Sequence, residues 1–253
     1  MTAPTVSETL TTPARVLPGK WIVAVDLGQA VDPTAIAVLD VTTRAEAVAR
    51  YYAYSDDTRP AGVLVPQREW YHATGDGGLK DANALARVDV RHLERLPLRM
   101  SYVDQVAYIA SVLRRPPLHW PRAALVVDQT GVGRPVVDVF RRAGLRPVGV
   151  TITAGDGVTR TDEGDYRVSK LHLVSGLQAD LHSGVLRWSK KLREAQALAI
   201  ELQDFRANIS ETGFARFGAR EGAHDDLVLA VAIGRWYASY AVHRVAHVFP
   251  FSI

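Results

Sequence analysis

Asp26, Asp128 and the adjacent pair Asp225-Asp226 are the side chains whose type and setting best suit chemistry. Asp26 lies in the apolar run W-I-V-A-V-D-L, Trp21 to Leu27, which is closed by Gly28. Asp128 follows a second such run, A-A-L-V-V, from Ala123 to Val127. The pair opens the long apolar stretch from Ala223 to Ala241. Carboxylates brought together at one sheet edge repel one another and are costly to bury without cations between them. Hard divalent ions with oxygen ligands, Mg²⁺ or Mn²⁺, relieve that repulsion. Two such ions about 3.5–4 Å apart support in-line attack of water on a phosphodiester, one polarising the water and the other stabilising the leaving oxygen. Taken singly, each acid has a plainer reading. The helix macrodipole alone favours Asp225 and Asp226, and Asp128 before a Gly-rich stretch suits a turn.

The elements that must carry these acids follow from periodicity. Short Val- and Ile-rich runs bounded by Gly read as buried strands, so residues 21–27 and 123–127 are expected to be central strands with an acid at the end of each. Asp32-Pro33-Thr34 makes a turn, and Thr34 to Val41 reads as a second strand. Arg44 to Tyr54 reads as a third, completing an antiparallel meander. Ser55 to Leu98 is expected to be an irregular insertion, folded as a strand pair with mobile tips. Ser101 to Arg115 has helical spacing at Val103, Val106, Ile109, Val112 and Leu113, with Ser101 as N-cap. A helix from Pro135 to Ala143 and a strand from Arg146 to Thr153 follow the Asp128 strand, which implies a right-handed parallel crossover. Beyond a Gly-rich loop or hairpin tip, Gly155 to Asp165, come a helix (Ser169 to His182), a short strand (Val185 to Trp188) and an amphipathic helix (Leu192 to Phe205). An edge strand (Phe214 to Phe217) then precedes the helix that the acid pair opens.

The 253 residues suit one domain with an insertion: a leader over 1–18, a folded unit over 19–242 with the irregular stretch 55–98 inside it, and a tail over 243–253. Apolar residues are 47% and charged residues 23%, as in ordinary globular proteins. A net charge of +3 permits nucleic-acid binding without demanding it. The absence of cysteine excludes disulfides and thiolate metal sites. No apolar run approaches the length of a membrane span.

The motifs V-D-L-G with D-P-T-A-I-A-V (Val25 to Val38), V-V-D-Q-T-G-V-G-R-P-V-V-D (Val126 to Asp138), S-K-L-H-L-V-S-G-L (Ser169 to Leu177) and H-D-D-L-V-L-A-V-A (His224 to Ala232) resemble, in this order, the ribonuclease-H-like nuclease superfamily. Within it, the chain is most similar to the nuclease domain of phage large terminases. The resemblance implies an α/β fold, a mixed sheet with an antiparallel three-strand meander and parallel strands, flanked by helices. It implies an endodeoxyribonuclease that cuts concatemeric viral DNA during genome packaging. Asp26, Asp128 and Asp225 or Asp226 would bind two Mg²⁺ or Mn²⁺ ions, with Asp225 favoured as the direct ligand. Double-stranded DNA, a small terminase subunit and a portal would be its partners, in the cytoplasm of a bacterial host. Large terminases also carry an ATPase motor, but no G-x-x-x-x-G-K-[ST] occurs here, and the only Gly-Lys pair, Gly19-Lys20, precedes Trp21. The motor would therefore be a separate chain or an excised part.

Lesser candidates surround this set. Lys170 would position a phosphate or be a solvated helix-start lysine, His224 would orient a carboxylate or water, and Asp32 would support Asp26 or shape its turn. Asp138 and Asp165 read as surface residues. Arg114-Arg115, Arg141-Arg142 and Lys190-Lys191 with Arg193 would form a backbone track if they share a face, and the loops Gly75 to Gly78 and Gly155 to Gly164 would be flaps over the duplex. Three other functions compete, one of them a non-catalytic DNA-binding or assembly module that kept the fold, against which the intact acid set argues. A Holliday-junction resolvase would share the acid set. An actin-like or sugar-kinase-like nucleotide-binding fold would also end its first strand in Asp-x-Gly, but does not account for Asp225-Asp226.

Overall fold

The computed structural model describes residues 21–28, 31–43, 85–131, 134–155, 157–204, 206–209, 215–218 and 224–247. Its centre is an eight-stranded mixed sheet in the order β6-β7-β5-β4-β1-β2-β3-β8. These strands are β1 (Trp21–Asp26), β2 (Ala35–Thr43), β3 (Leu85–Arg95), β4 (Ala124–Asp128), β5 (Val148–Thr153), β6 (Val158–Arg160), β7 (Tyr166–Ser169) and β8 (Leu186–Trp188). Strands β1, β2 and β3 form the antiparallel meander, and β4, β5 and β7 extend it in parallel from β1. A separate hairpin pairs β9 (Arg206–Ile209) with β10 (Ala215–Gly218).

The meander's third strand is Leu85–Arg95, inside the stretch expected to be irregular. The Arg44 to Tyr54 strand, the leader over 1–18 and the loop Gly75 to Gly78 lie outside the described residues. A bulge explains why β3 does not read as a strand. His92 faces Val38 while Val90 faces Leu39, so Arg91 is an extra residue. Inward positions therefore pass from Val88 and Val90 to Leu93, and the period of two breaks.

Helices α1 (Tyr102–Leu113) and α2 (Arg134–Arg142) cover one face of the sheet, and α3 (Lys170–His182), α4 (Ala195–Asp204) and α5 (Asp226–His247) cover the other. Ser101 caps α1 by accepting from the Asp104 N–H. Val103, expected on the apolar stripe of α1, is 63% exposed, and Gln105 is buried instead. Helix α5 runs past the boundary expected at residue 242. Among the described residues, no helix is long and apolar enough to cross a membrane.

Alternation along β1 splits its side chains between the two cores. Ile22 and Ala24 pack toward α3, α4 and α5, whereas Val23, Val25 and Leu27 pack toward α1 and α2. Strand β4 repeats the division, with Val126 on the first side and Leu125 and Val127 on the second. Helix α5 lies very close to the sheet at Gly234. A Cβ there would stand 2.8 Å from the Ala24 Cβ and 2.6 Å from the Leu39 Cδ1. Gly234→Ala is therefore expected to lower stability by about 1–2 kcal/mol, overpacking outweighing the roughly 1 kcal/mol gain in helix propensity. A reduced urea midpoint with an unchanged slope is the expected readout.

Candidate active site

Strands β1 and β4 are parallel neighbours, and Asp26 stands directly opposite Asp128 in their register. Both share the parity of Ala24 and Val126, so both carboxylates lie on the α5 side of the sheet, at the end where the parallel strands finish. Helix α5 starts there, bringing Asp225 and Asp226 to the same edge; the Asp225 carbonyl accepts from the Leu229 N–H at 2.8 Å, closing the first turn. Strand β7 passes directly into α3 at the same end. Ser169, fully buried, caps α3 through the His172 N–H, and this sets Lys170 at the helix start. The Lys170 Nζ lies 3.0 Å from the Asp225 Oδ2.

Local bonding fixes the two strand-end acids. Asp128, 5% exposed, accepts at Oδ1 from the Thr130 N–H (2.8 Å) and the Thr130 hydroxyl (2.5 Å). The Thr130 Oγ1 in turn accepts from the Ile152 N–H at 2.8 Å, tying the turn after β4 to β5. After Asp26, Gly28 sits so close to the returning chain that a Cβ would be 2.1 Å from the Asp32 carbonyl oxygen. The buried Gln105 donates to the Gly28 carbonyl at 3.0 Å, and the Thr34 Oγ1 accepts from the Gly28 N–H at 2.9 Å. The Asp32-Pro33-Thr34 turn is thereby anchored from α1.

Crowding dominates the electrostatics. Burial, then Asp128, Asp226 and Asp225, hold the Asp26 carboxyl well above the usual carboxylate range, against the pull of Lys170. Burial also raises Asp128, opposed by its Thr130 hydrogen bonds and by Lys170. Excess negative charge in oxygen donors suits a hard divalent cation. Among the described residues, no three acidic or imidazole side chains stand close enough together to enclose an ion as they are placed here. Lys170 engages Asp225, and Arg95, at the end of β3, engages Asp226 through its Nε at 2.7 Å.

Of the supporting residues expected from sequence, the His224 Nδ1 lies 3.5 Å from the Asp32 Oδ1 and 3.9 Å from the Asp226 Oδ1, linking the β1–β2 turn to the start of α5. Asp138 is exposed and pairs with Arg141, as expected of a surface residue. Asp165 is not free at the surface, because its Oδ1 accepts from the Gly149 N–H at 3.0 Å. The arginines do not form one track with the lysines. Helices α1 and α2 run away from the carboxylate end, so Arg114-Arg115 and Arg141-Arg142 lie at the opposite end of the sheet. Lys190, Lys191 and Arg193 follow β8, which runs parallel to β3, and are exposed at the carboxylate end. Within Gly155 to Gly164, Val158–Arg160 form the edge strand β6, paired antiparallel with β7, so this part of the stretch is a hairpin arm and not a loose loop. A groove of about 680 Å³ between β8 and α4 is lined by Leu186, Trp188 and Ala195 but by none of the four acids.

Sequence reasoning missed Arg95 and Glu201. Arg95 contacts Glu201 as well as Asp226, and the Glu201 Oε2 accepts from the Val228 N–H of α5 at 3.0 Å. Burial, then Asp226, push the Glu201 carboxyl up to about 7. The signal was a glutamate beside Leu198 and Leu202 on the apolar face of a helix.

No protein-family model matches the sequence, and no curated protein matches it. Solved structures do. The large terminase nuclease from thermophilic phage G20c is 18% identical, over 86% of this chain and 81% of that one, with a TM-score of 0.51. The same nuclease with bound magnesium matches at 18% identity, over 85% and 80% of the two chains, also at 0.51. The large terminase nuclease domain of Thermus phage P74-26 is 16% identical, over 86% and 78%, at 0.51. At such identity the likeness is one of fold. The mixed sheet with its meander and flanking helices is the ribonuclease-H-like arrangement.

Proposed function

We propose that this chain is a metal-dependent endonuclease that hydrolyses phosphodiester bonds of double-stranded DNA, acting on concatemeric viral DNA during genome packaging. The observation that carries the reading is the in-register pair Asp26 and Asp128, with Asp225 brought to the same side of the sheet by the start of α5. The shared fold supports it, as does the magnesium bound in one of the similar structures.

The residues fit a pair of Mg²⁺ or Mn²⁺ ions by the chemistry of their donors, all carboxylate oxygens whose mutual repulsion a cation relieves. When bound, such ions polarise the attacking water and stabilise the leaving oxygen. Asp26 and Asp128 would hold them from the sheet and Asp225 from the helix, with Asp226 beside it. Thr130 fixes the Asp128 carboxylate by two donated hydrogen bonds. Lys170, which pairs with Asp225, would meet the phosphate, and His224 and Asp32 would order the rim between β1 and α5. Lys190, Lys191 and Arg193 would contact the DNA backbone, which carries no sequence information, so cutting would show little sequence preference. The nuclease unit would comprise residues 19–242 and the remainder of α5. With no phosphate loop in the sequence, DNA translocation would fall to an ATPase motor outside it, working with a small terminase subunit and portal.

Supercoiled plasmid incubated with the full chain is expected to be nicked and linearised in Mn²⁺ or Mg²⁺ and left intact in EDTA. Cleavage that persists in EDTA would overturn the reading. Strong preference for a four-way junction over plasmid would redirect it to a resolvase.

A further inference from the structure

Helix starts leave backbone N–H groups without partners, and α5 meets this need through another helix. The Glu201 Oε2 on α4 accepts from the Val228 N–H. Glu201 is 6% exposed, and its Oε1 meets the Arg95 Nη2. The same guanidinium reaches Asp226, with Nε 2.7 Å from Oδ2 and Nη2 3.4 Å from Oδ1. Its Nη1 stands 3.6 Å from the Glu194 Oε2. One arginine from the last position of β3 therefore joins α4 to the first residue of α5, and both Asp226 oxygens face it. Asp225, the residue immediately before the helix, places its Oδ2 on Lys170.

We propose that Arg95 and Glu201 form a positioning latch that sets where the start of α5, and with it Asp225, stands relative to Asp26 and Asp128, using Asp226 as its anchor. Neither latch residue touches the reacting atoms. Their effect is on cation affinity, because a helix start already fixed at the sheet edge leaves only side-chain rotation for Asp225 to reach an ion. The proposal rests on the metal-dependent nuclease reading. Lysine would replace Arg95 only in part, since a single ammonium lacks the planar fork that serves two carboxylates at once.

The test is Mn²⁺ binding to the full chain by titration calorimetry, with plasmid cleavage followed against Mn²⁺ concentration. Arg95→Met is expected to weaken Mn²⁺ binding about 10–100-fold, as loss of a partner that orients a ligand does. Arg95→Lys and Glu201→Gln should each weaken it about 3–10-fold, toward the lower end of such effects. Raising Mn²⁺ should restore the maximal rate of Arg95→Lys to near that of the wild type, a rescue that a merely damaged fold does not give. Arg95→Lys and Glu201→Gln decide the matter if Arg95→Met does not fold. Wild-type Mn²⁺ affinity in both would overturn the latch. Asp128→Asn separates the two readings. If it abolishes Mn²⁺ binding while the latch variants bind normally, only the latch fails. If it binds like the wild type, the site itself is misassigned and the latch falls with it.

Discussion

Asp128→Asn is expected to lower metal-dependent DNA cleavage by about three orders of magnitude or more, because a cation that stabilises transition-state charge is worth several kcal/mol and each 1.36 kcal/mol is tenfold in rate. The substitution suits the purpose because it changes charge with little change of shape. Both donors from Thr130 reach Oδ1, and an asparagine can present its carbonyl oxygen to both. The turn after β4, and the bond from Thr130 to the β5 backbone, are therefore retained. A melting temperature in EDTA equal to or above that of the wild type, together with lost plasmid nicking, is the expected pairing. Undiminished nicking by a folded Asp128→Asn protein would sink the assignment of the site.

The metal-free protein is expected to lose stability as pH rises, and added Mn²⁺ should reverse that slope. Asp26 and Asp128 are both raised above their ordinary value of 3.8, mainly by burial and, for Asp26, strongly by the neighbouring acids. Glu201 is raised from 4.5 to about 7. A carboxyl with a raised folded pKa binds more protons in the native state than in the unfolded state across the interval between the two values. Stability therefore falls as pH rises through that interval. For Glu201 the window runs from 4.5 to about 7, and for Asp26 and Asp128 it opens at 3.8. Between about pH 5 and pH 8 in EDTA, Glu201 alone should contribute a loss on the order of 2 kcal/mol, to which Asp26 and Asp128 add in the same direction, read as a falling thermal midpoint. Asp26→Asn should flatten the slope by removing the most crowded of the three. With Mn²⁺ present the sign changes, since the cation binds the ionised carboxylates and competes with protons for them. A metal-free midpoint that rises steadily with pH would contradict the picture of crowded, buried acids.

Much of this site is written in local sequence, because its acids sit where elements begin or end. Asp26 and Asp128 close Val-rich runs that cannot be helices of useful length, and Asp225-Asp226 opens an apolar stretch too long to be a strand. Their convergence is also legible, since parallel pairing of two such strands places their last residues side by side. The arginine that braces Asp226 is not legible. It ends a strand whose alternation is broken by the bulge at Arg91, so its neighbours look irregular. Glu201 carries its meaning only once α4 is laid against α5, because a glutamate on an apolar helix face has no local explanation. The separation of the arginine clusters from the lysines was equally hidden. It depends on which way each helix runs across the sheet, and clustering in sequence does not record direction.

Under the nuclease reading, the register of Asp26 with Asp128 also bears on how much of the chain cutting would require. Both residues belong to strands that pair in parallel within residues 21–128 of the sequence. The third carboxylate arrives only with the helix that starts at residue 226. A nascent chain, or one truncated before that helix, holds two acids side by side with nothing to complete them. If the chain is the nuclease proposed above, its cutting power would require the docking of α5 across β1 and β2, and a chain lacking that helix would be inactive.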